Sequence, residues 1–165
     1  MKKLLFLLAF ITVASGLSSQ IRSGDQSLLF NTGYQTNAKR FLLGAQYRYV
    51  ITRNVRLAPE AMFFFPKDRT TGFDLNLNLH YVLELDKDVT IYPLMGVAMQ
   101  NNRYMGRKVG GVTVHRARGY TDFGFNLGAG FGYDFSRRLF INSELKYVFS
   151  DYDCLVWSFG IGFRM

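Results

Sequence analysis

The chain has 165 residues, one cysteine, 48% hydrophobic and 16% aromatic residues, and a formal net charge of +8. That length holds one domain, the single Cys154 excludes an internal disulfide, and the apolar content excludes a disordered chain. Sixteen Gly, sixteen Phe and ten Tyr favour β-structure, where rings pack on a pleated surface and Gly fits crowded interiors.

The first segment reads as an export signal. Lys2 and Lys3 are followed by an apolar run from Leu4 to Val13, broken only by Thr12, and then by small residues Ala14, Ser15, Gly16, Ser18 and Ser19. The run is shorter than the roughly 20 apolar residues of a spanning helix. Cleavage fits after Gly16 or after Ser19, and no Cys at the junction offers a lipoprotein anchor. Residues 1–19 are assigned to a cleaved signal and residues 20–165 to the folded domain. Losing two lysines and no acid leaves the mature chain basic. For an exported protein the anionic neighbours are lipid phosphates or peptidoglycan, not nucleic acid.

Eight strands follow, with no run long enough for a transmembrane helix. The first two are expected over Ser27–Gln35 and Arg40–Ile51, the third over Val55–Phe65. The fourth, Phe73–Leu85, alternates: Phe73, Leu75, Leu77, Leu79, Tyr81, Leu83 and Leu85 share one face, while Asp74, Asn76, Asn78, His80, Val82 and Glu84 share the other. The fifth, Val89–Gln100, is apolar on both faces, so its phase stays open, and Pro93 inside it marks an expected bulge. The sixth, Asp122–Phe135, sets Phe123, Phe125, Leu127, Ala129, Phe131, Tyr133 and Phe135 against Asp122, Asn126, Asp134 and four glycines. Leu139–Phe149 and Cys154–Met165 complete the set. Short polar turns at Thr52–Asn54, Asp86–Asp88 and Ser136–Arg138 alternate with more variable connections at Thr36–Lys39, Pro66–Thr71, Asn101–Gly119 and Ser150–Asp153. Short turns at one end and longer loops at the other are the asymmetry of outer-membrane barrels.

The contents of the two faces decide between a membrane barrel and a soluble, lipocalin-like ligand-binding barrel. The oily face carries essentially no charge, and its rings cluster toward strand ends, as girdles at two lipid–water boundaries would. The other face carries Arg40, Arg48, Arg56, Glu60, Asp74, Glu84, Asp122, Asp134, Glu144, Lys146 and Arg164. An eight-stranded barrel is only wide enough to be filled by side chains, so these charges are expected to pair inside it. The reading is an all-β, eight-stranded antiparallel up-and-down transmembrane β-barrel with a side-chain-plugged lumen.

The chain resembles the small OmpA/OmpX-like outer-membrane barrel families over nearly all of residues 20–165. The C-terminal run from Ser158 to Met165 carries the most specific likeness. Ser158, Gly160, Phe163 and Met165 stand where such barrels place their assembly signal, although the families usually end in an aromatic residue. The glycine-rich stretch from Phe125 through Tyr133, with Leu139–Tyr147 after it, resembles their penultimate hairpin. The resemblance implies insertion by the barrel-assembly machinery of a Gram-negative outer membrane, among outer-membrane lipid and lipopolysaccharide. It implies no specific activity, because one barrel hosts many functions.

Two function classes remain to be separated. An outer-membrane lipid A-modifying enzyme would need a nucleophile with a base in reach. His80 falls on the inward face, and His115 stands in the long loop beside Arg116. Neither has a Ser two residues later, so no enzyme is expected. Two isolated His and one Cys have no metal-ligand spacing, and no cofactor is expected. The other class is a structural or surface-interaction role for a monomer. Arg103, Arg107, Lys108, Arg116 and Arg118 in loop 101–119 are the candidate contacts to an anionic surface. Val109 to Val114 suit a hairpin about Gly110-Gly111 there.

Overall fold

The computed structural model describes residues 23–68, 70–105, 107–109, 112–115 and 118–165. The assigned signal, residues 1–19, lies outside them. The strands are β1 (Gln26–Gln35), β2 (Arg40–Thr52), β3 (Val55–Lys67), β4 (Thr70–Tyr81), β5 (Leu83–Asp86), β6 (Val89–Tyr104), β7 (Arg107–Val109), β8 (Val112–His115), β9 (Arg118–Asp134), β10 (Leu139–Phe149) and β11 (Cys154–Arg164). β4 and β5 lie in line and both pair with β6, so they form one stave of a closed eight-stranded antiparallel barrel. Closure comes from β1 against β11, running from Ser27↔Arg164 to Gln35↔Val156. β7 and β8 form a separate hairpin in the long loop, with Val109 opposite Val112.

Alternation along the strands becomes two environments. In β4, Asp74, Asn76, Asn78 and His80 are buried, while Leu75, Leu77 and Leu79 are over 40% exposed. Large apolar side chains on the outside and charged ones inside are the reverse of a soluble barrel. The outer surface is an apolar band that only lipid can cover at low cost. Its aliphatic middle includes Leu43, Leu75, Leu77, Leu127 and Leu145. Rings flank that middle on both sides. Toward the loop end Phe63 pairs with Phe73, and Phe149 with Phe125. Toward the short-turn end lie Tyr49, Tyr81, Tyr133 and Phe163.

One open point is settled and two local expectations are corrected. β6 has a definite phase, with Tyr92, Leu94, Ala98 and Gln100 inward and Pro93, Met95 and Val97 outward. No bulge accompanies Pro93. His80 pairs with Leu94 and Leu83 with Ile91, so the register is the same on both sides of the break at Val82. Proline simply lacks the N–H that would bond across at that point, while Val82 bonds on its other side, donating its N–H to Asn54 O at 2.6 Å. The connection expected over Pro66–Thr71 is much shorter, because the strands continue until Lys67 pairs with Thr70, past an irregularity beyond Phe64.

Candidate functional site

β10 places Glu144 and Lys146 two residues apart on the inward face, and β3 supplies Glu60 from the far side of the barrel. β3 and β10 stand four staves apart in a ring of eight. Contact between Lys146 Nζ and Glu60 Oε2 therefore crosses the lumen, and Glu144 Oε1 lies 3.6 Å from the same ammonium. The Glu60 carboxylate also accepts from Asn31 Nδ2 at 2.8 Å and Asn76 Nδ2 at 3.4 Å. Asn126 Nδ2 continues the network to Asn76 and Asn78. Buried charges are costly unless paired and hydrogen-bonded, and these are both.

Toward the short-turn end, Tyr92 is the hub. Its hydroxyl accepts from Arg48 Nη2 at 3.1 Å and lies 2.7 Å from Asn142 Oδ1 and 3.1 Å from Glu144 Oε2. The Arg56 guanidinium sits 4.8 Å from its ring centre, and the His80 ring stacks on it at 4.5 Å. Gly130 is what admits the ring: a Cβ there would lie about 2.2 Å from Tyr92 Cζ. His80 Nδ1 takes up Arg56 Nη2 at 3.0 Å, which makes it an acceptor within the network. An ion pair between Arg164 and Asp134, at 2.6 Å, lies at the short-turn end.

The loop half of the lumen is different. Leu42, Met62, Phe64, Ala98, Val148, Cys154 and Val156 form an apolar cluster inside the barrel. Beyond it Arg40 donates from Nε and Nη2 to Gln35 Oε1 and from Nη2 to Asn102 Oδ1, with its guanidinium over the Phe64 ring. A cavity of about 740 Å³ opens from this layer to the loop end.

Of the candidate anion contacts, Arg103 and Arg118 stand on adjacent strands. Tyr104 pairs with Arg118 and Arg103 with Gly119, so Arg103 and Arg118 project to opposite sides of the ladder. Arg118 lies over the Tyr120 ring at 5.2 Å. Arg107 and Lys108 belong to β7, and Arg116 falls outside the described residues. Of the candidate assembly signal, Ser158 is buried inward and Gly160 lies against Phe30 O, while Phe163 and Met165 are exposed. Tyr92 and Asn142 do not stand out in the sequence. Stepping back by twos from the polar Gln100 through Ala98 and Leu94 would turn Tyr92 inward.

Solved structures share this architecture. The N-terminal β-barrel domain of Pseudomonas aeruginosa OprF superposes with a TM-score of 0.73 at 19% identity, covering 87% of this chain and 98% of that one. Ail, the attachment invasion locus protein of Yersinia pestis, gives 0.58 at 14% identity, covering 86% and 97%. Neisserial surface protein A gives 0.54 at 12% identity, covering 86% and 94%. Identities this low speak for the fold alone. No curated protein sequence matches the chain. The outer membrane protein beta-barrel domain family matches residues 9–164, almost the whole length. With its inward charges, its apolar outer band and that match, the chain belongs to this family of outer-membrane β-barrels.

Proposed function

We propose that the protein is a non-enzymatic, monomeric outer-membrane barrel with a plugged lumen, whose role lies in its loop end meeting anionic surfaces. The observation that carries this reading is Lys146 held between Glu60 and Glu144 across the barrel. A lumen crossed by an ion pair offers no path for solutes, which leaves the outer rim as the contact surface. His80, bonded by Arg56 and stacked on Tyr92, has no hydroxyl nucleophile among its bonded partners. In this reading residues 1–19 direct export and are removed. Ser158, Gly160, Phe163 and Met165 then present the last strand to the assembly machinery.

The basic loop supplies the contact through Arg103, Arg107, Lys108, Arg116 and Arg118. Ail, of similar fold, has been crystallised with the heparin analogue sucrose octasulfate, which recommends that compound and lipid A as probes here. Replacing all five residues with Gln should leave the barrel folded and weaken binding to both probes at low salt, where exposed charges are least screened. Unchanged binding, or none by the parent, would remove the surface-contact role. Deleting residues 163–165 should abolish heat-modifiable protein in the outer membrane. Normal amounts would show that the signal lies elsewhere.

A further inference from the structure

We propose that the outer mouth of the barrel is a cup for a neutral saccharide, one or two sugar rings in size. This goes beyond contact with anionic surfaces and does not depend on it. The cavity holds about 740 Å³, within the roughly 300–1,000 Å³ of small-ligand sites. The apolar cluster of Leu42, Met62 and Phe64 inside the barrel closes it below. A molecule entering from outside stops there, in a cup and not a channel.

The lining selects the ligand class by charge and by shape. Lys39, Arg40 and Lys67 are balanced by Asp68, Asp151 and Asp153, so the charged groups of the wall carry no net charge to favour an anion or a cation. An apolar guest would strip water from the Asp68, Asp151 and Asp153 carboxylates and offer no acceptor to Arg40 Nη1, which is costly. A hydroxyl-rich guest answers both conditions. Carboxylates and carboxamides accept from and donate to neighbouring hydroxyls, while the rings of Tyr104, Tyr120 and Tyr152 suit the C–H faces of a sugar.

Much of this surface is set before a ligand arrives, which lowers the ordering cost of binding. Gln100 is held by Ser150 Oγ at 2.8 Å and by Cys154 Sγ at 3.4 Å. The Asp153 carboxylate accepts from Ser150 N and from the Tyr147 hydroxyl. Arg118 covers one face of Tyr120. At the floor, Arg40 Nη1 is a buried donor with no protein acceptor, in a side chain only 4% exposed.

The test is titration of the full folded chain in nanodiscs with maltose, lactose and N,N′-diacetylchitobiose, reading amide resonances of Tyr104, Tyr120, Asp151 and Tyr152. Glucuronate and glycylglycine serve as acidic and zwitterionic contrasts. At least one neutral disaccharide should shift these resonances saturably in the millimolar range, with little dependence on salt. Tyr152→Ala should weaken that binding about tenfold, the order expected for losing a ring contact. Asp151→Asn, which changes no volume to speak of, should weaken it as well. A Gln variant of Arg103, Arg107, Lys108 and Arg116, which spares the Arg118 packed on Tyr120, should leave the sugar shifts in place, which separates this site from the anionic contact. The inference is overturned if no neutral sugar shifts the resonances, or if Tyr152→Ala and Asp151→Asn both bind as the parent does. Binding of glucuronate alone and lost with salt would mean an anion site, and binding of glycylglycine alone a peptide site. Either would also overturn it.

Discussion

Leu145 and Lys146 are neighbours in β10, yet the leucine is 48% exposed and the lysine 1%. In water the exposed leucine would be unfavourable, and a buried lysine is tolerated anywhere only with partners. In a bilayer it is the stable one, because lipid covers the leucine and the barrel supplies Lys146 with two carboxylates. The contrast teaches that hydrophobicity does not choose the inside of this protein. Strand parity chooses, and the surroundings of each face decide which chemistry it tolerates. A charge is acceptable inside only with partners, and outside not at all within the apolar band.

The largest effect should come from breaking the pairing. Lys146→Ala leaves Glu60 and Glu144 facing each other without their shared cation, and should destabilise by about 3–5 kcal/mol in denaturant unfolding from lipid. Adding Glu60→Gln should restore part of that loss, since an amide needs no counter-charge. If the single variant is as stable as the parent, the ion pair does not hold the lumen. Next comes charge on the lipid face. Leu127→Arg, in the aliphatic middle of the outer band, should cost about 2–4 kcal/mol in lipid. The same variant should be far milder in a short-chain detergent that deforms around the arginine.

A steric test of the lumen is smaller. Gly130→Ala drives a methyl group into the Tyr92 ring and should cost about 1–3 kcal/mol, as overpacking does. In a Tyr92→Leu background, which itself loses the hydroxyl's bonds to Asn142 and Glu144, the same Gly130→Ala change should cost much less, because the clash is with the ring. Smallest of all should be Arg103→Gln, on an exposed residue near the loop end of β6. It should change stability by less than about 0.5 kcal/mol, as exposed substitutions do.

Parity is legible in the sequence wherever the two faces differ in chemistry. β4 and β9 alternate strictly enough that their pattern alone puts Asp74, Asn76 and Asn126 on the inward face and their neighbours on the outward one. β6 cannot be phased that way, because Ile91, Tyr92, Leu94 and Met95 are apolar on either side. The hub of the network, Tyr92, is hidden there. Lys146 can be assigned inward from its own strand. Its partner Glu60 is 86 residues away, and only closure of the barrel brings it opposite. The apolar cluster of Leu42, Met62 and Phe64 has inward parity too. It departs from the rule of polar inside and apolar outside, so it reads as a lapse in the pattern when it is a layer of the interior. The mouth cavity is illegible for a further reason. Its walls come from the ends of strands far apart in sequence, and no local motif joins Lys67, Tyr120 and Asp153.

The central claim is that parity and not polarity assigns each side chain to lipid or lumen, and both faces carry methyl groups that can report on it. Methyl resonances of the full chain in nanodiscs, recorded with and without a lipid bearing a nitroxide deep in its acyl chain, measure contact with the bilayer interior directly. The outward Leu75, Leu77, Leu127 and Leu145 should broaden strongly. The inward Leu42, Met62, Val148 and Val156, equally apolar but enclosed by the barrel, should remain sharp. Equal broadening of both sets, or broadening of the inward set alone, would contradict the account.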